Sequence, residues 1–208
     1  MTVRVFVTGG TFDKEYDELT GRLYFRNTHV DEMLRRGRCG LDVDVETLMM
    51  VDSLEMTAEQ RALIVRACRE CAEAQIVITH GTDTMVETAR AIADDVGDKT
   101  IVLTGAMVPY AFGSSDGLFN LGSALSFVQS LPPGVYIAMN GRSFRWDDVR
   151  KNRDAGVFEH LGACASVIPS AGRHDAPGRV AVGMGSDAGH RVGVGGRQRH
   201  RDGVAPDP

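Results

Sequence analysis

Short runs of aliphatic and β-branched residues, each closed by small or polar positions, recur along the first 140 residues. Val3 to Val7 ends on Thr8-Gly9-Gly10-Thr11, and Val43 to Val51, Gln75 to Thr79, Thr100 to Thr104 and Val135 to Met139 repeat the form. Compact apolar runs of this kind are what strands buried on both faces look like. Between them the apolar positions fall at helical spacing. Thr57 to Glu73 sets Leu63, Ile64, Ala67, Cys68 and Cys71 on one face, and it opens with Thr57 followed by Gln60, the spacing of a capping box. Asp83 to Val96 and Gly117 to Leu131 read likewise. The order is strand, loop, short helix, strand, then helix and strand in alternation. It predicts a mostly parallel α/β sheet of the Rossmann/flavodoxin-like class with helices on both faces. Ligands in such sheets sit outside the carboxyl ends of the strands.

The pattern stops near Leu161. Residues 161–208 contain ten Gly, six Arg, four Asp, no Lys and no aromatic residue, with isolated Val and Ala that follow neither period. Such a segment buries too little surface to offset its ordering entropy. The expected organisation is therefore a domain over 1–161 and a disordered Gly/Arg-rich tail over 162–208. The tail's monotonous composition also fits an out-of-frame reading of a GC-rich gene, which the DNA would reveal as a coherent alternative frame.

Charge narrows the partners. The chain carries a net charge of −5, and because the tail is basic, residues 1–160 hold 24 acidic against 17 basic side chains. Nucleic-acid binding needs the opposite sign, so no nucleic-acid partner is expected. No apolar run approaches the ~20 residues of a membrane span, and Met1 to Thr8 is strand-like rather than a leader. A cytoplasmic location and no membrane partner are the expectation. Four cysteines, Cys39, Cys68, Cys71 and Cys164, are too few and scattered for a disulfide scaffold. Cys68-x-x-Cys71 lies inside a helical pattern without further ligands, so packing rather than zinc or redox chemistry is its expected role.

Reactive side chains concentrate immediately after the predicted strands: Thr8 to Thr11, then Asp52-Ser53, then His80-Gly81-Thr82-Asp83-Thr84, then Gly105-Ala106. Gly9-Gly10 permits positive φ and close backbone approach, leaving Thr11 at the sheet edge. A plain turn would explain that motif alone, and helix capping would explain Asp83 or Thr84 alone. Taken chemically, Thr82 offers a hydroxyl and an amide at a helix start, where an oxyanion is stabilised. Lys151, in a charged stretch after the fifth strand, is a solvated lysine unless its loop folds back. In that case its ammonium meets Thr82 and Asp83 as a base or charge stabiliser.

Together, Thr8-Gly9-Gly10-Thr11, Asp52-Ser53, Thr79-His80-Gly81-Thr82-Asp83-Thr84-Met85, Gly105-Ala106-Met107 with Pro109, and Ser115-Asp116-Gly117 with Asn120 resemble the ordered motifs of the bacterial-type L-asparaginase/glutaminase family. The resemblance covers residues 3–160. It implies Thr11 as nucleophile, assisted by Tyr16 on the loop that follows, with Thr82, Asp83 and Lys151 as the second catalytic group. It further implies Gly10, Ser53, Gly81 and Ala106 as substrate contacts: Ser53 for the α-carboxylate and the Ala106 carbonyl for the leaving amide. Asp83 would also hold the α-amino group. No metal or cofactor is implied. The implied substrate is L-asparagine, with glutamine or an amidotransferase-type substrate as the alternative, and an inactive asparagine- or aspartate-binding module as a third reading. A homo-oligomer is implied because family members assemble as dimers of dimers. Leu54 stands where many members carry a polar residue, and the family's second, smaller domain has no counterpart after Leu161. The stretch Phe12 to Asn27, charged and free of proline, suits a lid loop.

Overall fold

The computed structural model describes residues 2–95 and 97–162, so the expected tail lies outside the described residues apart from Gly162. In chain order the elements are β1 (Thr2–Gly9), β2 (Lys14–Asp17), β3 (Arg22–Phe25), α1 (Val30–Arg36), β4 (Asp42–Val51), α2 (Ala58–Glu70) and β5 (Gln75–Thr79). They continue with α3 (Met85–Ala93), β6 (Thr100–Thr104), α4 (Gly117–Ser130), β7 (Gly134–Met139), β8 (Arg142–Arg145), β9 (Arg150–Asn152) and β10 (Val157–Glu159).

Six strands form one sheet in the order β4-β1-β5-β6-β7-β8. Every neighbouring pair is parallel except β7 with β8. The chain runs from β1 outward to β4, returns across β1 to β5, and then proceeds outward on the other side. The order therefore reverses between β1 and β5, and a crevice opens at their carboxyl ends, where open α/β sheets bind ligands. The central strands are apolar on both faces because both are covered. Ile76, Ile78, Ile101 and Leu103 pack with Ile64, Cys68, Met85, Ala89 and Ile92 of α2 and α3. Val3, Val5, Val77 and Val102 pack on the other face with Val30, Met33, Leu121 and Leu125 of α1 and α4.

The helices on the two faces also fix the hand of each crossover. The connection through α1 runs one way along the sheet on one face, and those through α2 and α3 run the opposite way on the other, so all three share one hand. The α4 connection runs in the same direction as α3 on the opposite face. Its hand is opposite to that of the other three, a departure from the near-uniform right-handed preference of parallel crossovers. The reversed crossover begins at Gly105 and Ala106, beside the crevice.

Three expectations are corrected. The predicted lid loop between Phe12 and Asn27 contains an antiparallel hairpin, β2 with β3, in which Lys14 faces Phe25 and Tyr16 faces Leu23. Its charged strand Lys14-Glu15-Tyr16 lies against the apolar and aromatic Leu23-Tyr24-Phe25, with side chains half-buried or exposed. The charged stretch around Lys151 is a second hairpin, β9 with β10. Finally, α3 begins at Met85, not Asp83, so Thr82 lies in the turn two residues ahead of the N-terminal flanking Thr84 rather than directly at the helix start.

Helix α2 keeps its predicted start. The Thr57 hydroxyl accepts from Gln60 N at 3.3 Å and the Gln60 side chain accepts from Thr57 N at 2.9 Å, which completes the capping box. Replacing Thr57 by Ala is expected to lower unfolding free energy by about 1 kcal/mol in urea titration. An unchanged midpoint would mean that tertiary packing alone sets this terminus.

Candidate active site

The site is built around close backbone approaches after β1, β4, β5 and β6. Gly9 and Gly10 have φ of 91° and 82°, values open to glycine and costly for other residues. At Gly10 a Cβ would stand 2.5 Å from Gly81 Cα, and at Gly81 it would stand 2.5 Å from Ser53 Oγ. At Gly105 it would collide with the His80 carbonyl and lie 3.2 Å from the Thr82 methyl. Four segments distant in sequence thus touch through the absence of side chains. Gly10 N donates to Val51 O at 3.0 Å, and Thr84 Oγ1 donates to Ser53 O at 2.8 Å. Thr84 is the N-terminal flanking residue of α3, but its hydroxyl ties the β4 turn to the β5 turn instead of capping the helix.

Lys151 arrives from β9. Its Nζ donates to Thr82 Oγ1 at 2.8 Å and to Asp83 Oδ1 at 3.0 Å, and its side chain is 12% exposed. Arg153 adds a longer ion pair to the same Asp83 oxygen at 3.5 Å. Thr82 and Ser53 are buried, Ala106 is buried, and Thr11 is half-buried in the single turn that follows Gly10. The buried Ser53 Oγ has no hydrogen-bond partner among the described residues. Tyr16 stands apart: it is 56% exposed on β2, and its hydroxyl reaches toward the hairpin turn at Gly21. The structure therefore brings Gly10, Ser53, Gly81, Thr82, Asp83 and Lys151 together and leaves Tyr16 on the outer hairpin.

Several supports were not visible in the sequence. The hairpin's two ends are joined by buried Asp13, which accepts from Thr28 Oγ1 at 3.0 Å and His29 N at 2.8 Å. Burial raises the Asp13 pKa, partly countered by those two donors. Lys14 pairs with Asp52 and pins the hairpin to the β4 turn beside Ser53. Burial pushes the Asp52 carboxyl up, but Lys14 and the Leu54 N–H together hold it below its ordinary value. An Asp52-Lys14 contact spans 38 residues, so no local pattern announces it. Leu54, beside Ser53, is 65% exposed. Cys68 is buried in the core, and burial pushes its thiol up to about 12, consistent with packing. Among the described residues, no group of His, Cys, Asp or Glu is disposed to hold a metal, and no helix is long and apolar enough to cross a membrane.

Behind the β5 turn, fully buried His80 accepts at Nε2 from Thr88 Oγ1 at 2.9 Å and donates from Nδ1 to Gly81 O at 2.8 Å. The Gly81 carbonyl can only accept, which fixes the proton on Nδ1. Thr88 Oγ1 in turn accepts from Arg61 at 2.6 Å. The chain of donors from Arg61 to Gly81 has one polarity and holds the turn that presents Thr82.

An α/β domain with polar side chains gathered at the reversal of its parallel sheet is the class these features define. The chain belongs to the asparaginase family: the family model Asparaginase, N-terminal, matches residues 2–159. It is 31% identical to the L-asparaginase of Thermococcus kodakarensis over 165 residues, 76% of this chain and 49% of that protein. A glutamyl-tRNA(Gln) amidotransferase polypeptide of Methanococcus vannielii is 34% identical over 166 residues, 74% of this chain and 37% of its own. The solved structure of the thermostable L-asparaginase from Thermococcus kodakarensis superposes with a TM-score of 0.70 at 29% identity, over 79% of this chain and 52% of that one. The chain thus spans about half the length, or less, of these relatives.

Burial lowers the His80 pKa from 6.5 to about 4, with the nearby Arg61 charge acting in the same direction and the Gly81 bond opposing it. The unfolded chain binds a proton below 6.5 that the native state refuses until about 4. His80 therefore contributes fully to stability above pH 6.5, and that contribution is lost as pH falls toward 4, by roughly 3 kcal/mol at most. Urea unfolding across this window should show a shallower loss in His80→Gln than in the parent. Identical slopes in both proteins would contradict the assignment.

Proposed function

We propose that this chain is an amidohydrolase that converts L-asparagine to L-aspartate and ammonia. The observation that carries the reading is the Lys151 ammonium bonded at once to Thr82 and Asp83 where the β1 and β5 turns touch. A carboxamide resists water because resonance deactivates its carbonyl. Hydrolysis therefore needs a positioned nucleophile, donors for the tetrahedral oxyanion and a proton for the departing amine. In this reading the Thr11 hydroxyl attacks the side-chain carbonyl, its proton passes through the neighbouring network to the leaving nitrogen, and ammonia departs from a β-aspartyl ester. Water activated at the Thr82–Lys151–Asp83 group then cleaves the ester and returns the proton to Thr11.

Ser53, with a buried hydroxyl free to bond, takes the α-carboxylate, and Asp83 takes the α-amino group. Gly10 and Gly81 shape the floor, and the Ala106 carbonyl accepts from the leaving amide. Tyr16 assists after the hairpin closes inward, because its position on the outer ribbon demands that motion. The free thiols of Cys39, Cys68 and Cys71 suit a cytoplasmic setting, and self-association is proposed on the family's habit alone. The domain is taken as 1–161.

The amidotransferase relative favours a second substrate reading, glutamine or a glutamyl conjugate. The negative charge of residues 1–160 weighs against tRNA itself. Ammonia release from asparagine should exceed that from glutamine, and the opposite ratio would reverse the order. In Thr11→Ala, folded by circular dichroism, turnover of asparagine should fall at least ~10³-fold. Retained turnover would remove Thr11 from the role of nucleophile.

A further inference from the structure

We propose that Asn140, held in turn by the fully buried Asn120, is a positioning residue that sets where Lys151 meets Thr82; the inference rests on the amidohydrolase reading above. Lys151 belongs to β9, which pairs only with β10 among the described strands and with no strand of the main sheet. Its direct partner in the ladder is Phe158. Opposed residues of an antiparallel pair project on the same face, so the buried Phe158 ring and the Lys151 side chain point inward together. Apolar burial is non-directional, however, and fixes depth better than register. The pairs Arg150–Glu159 and Asn152–Glu159 join the hairpin's strands to each other and not to the sheet.

A directional hydrogen bond to the end of the sheet comes from the Phe158 N–H, which donates to Asn140 Oδ1 at 3.2 Å. Asn140 directly follows β7 in the left-handed region, φ 57°, which asparagine tolerates better than most residues. Its own N–H donates to Asn120 Oδ1 at 3.1 Å, and Asn120 Nδ2 donates to Gly105 O and to Asp116 Oδ2, both at 2.9 Å. These partners define both amide orientations without ambiguity. Gly105 packs against the Thr82 methyl, and Thr82 receives Lys151. A closed circuit results: Thr82, Gly105, Asn120, Asn140, Phe158, Lys151 and back to Thr82. It ties the reversed α4 crossover and the β9–β10 hairpin to one frame.

The test uses the full chain with two variants and two readouts. Asn140→Gly keeps the backbone conformation and deletes the acceptor, whereas Asn140→Asp restores an oxygen acceptor. The chain has only three lysines, Lys14, Lys99 and Lys151, so acetylation by limiting acetic anhydride can be followed at each by mass spectrometry. In Asn140→Gly, Lys151 should label several-fold faster with Lys14 and Lys99 unchanged, and kcat on asparagine should fall about 10- to 100-fold. KM should move less than about threefold. Asn140→Asp should return both readouts toward the parent. Parental Lys151 labelling in Asn140→Gly, or failure of Asn140→Asp to restore it, would overturn the inference. Labelling needs no turnover, so a parent inactive on asparagine would sink the amidohydrolase reading while the labelling still decides this one.

Discussion

The structure depends on backbone meeting backbone at one point of the sheet. Where the strand order reverses, the turn after β1 lies against the turn after β5, which lies against Ser53 after β4, and each contact exists only because Gly10 and Gly81 carry no side chain. The same omission at Gly105 admits the β6 turn. An added methyl at any of these positions would separate the segments by more than a hydrogen-bond tolerance. The polar residues Ser53, Thr82 and Asp83 are brought to one edge of the sheet as a consequence. Parallel strands supply the edge, and the glycines let four edges converge.

That convergence leaves one side uncovered, and the β9–β10 hairpin fills it. Its short strands add no hydrogen bonds to the main sheet, so side-chain amides take over what a ladder does elsewhere. Asn120 and Asn140 bond main-chain groups of two different elements, and Asp148 accepts from Leu161 N at the hairpin's far end. Hydrogen bonds of this sort contribute modestly to stability but specify geometry. His80 plays the matching part beneath the β5 turn. Its lowered pKa follows from the same burial that allows it to hold Gly81 in a fixed tautomer.

Much of this was legible in the chain before folding. Apolar runs from Val3, Gln75 and Thr100 are strands within a residue or two of their expected bounds, and Thr57 with Gln60 forms the expected cap. Lys151 could be paired with Thr82 and Asp83 only on the condition that its loop folds back, and the hairpin meets that condition. What stayed hidden has a common cause. The β2–β3 ribbon and the β9–β10 hairpin are short and only partly buried, so they carry no run of apolar residues to announce them. The crossover hand, the Lys14–Asp52 pair and the Asn120–Asn140 link are long-range facts that local periodicity does not encode. Tyr16 shows the limit from the other side: its place in the motif resemblance is clear, and its hydroxyl lies toward Gly21. The segment expected to be a disordered tail lies outside the described residues.

A crystal structure of this chain soaked with L-aspartate, the product of the proposed reaction, addresses the central claim most directly. The product's side-chain carboxylate is expected between Thr11 Oγ1 and Thr82 Oγ1, with Lys151 still bonded to Thr82 and the α-carboxylate on Ser53. Aspartate bound away from the β1–β5 crevice, or Thr11 turned from a product seated there, would contradict that expectation.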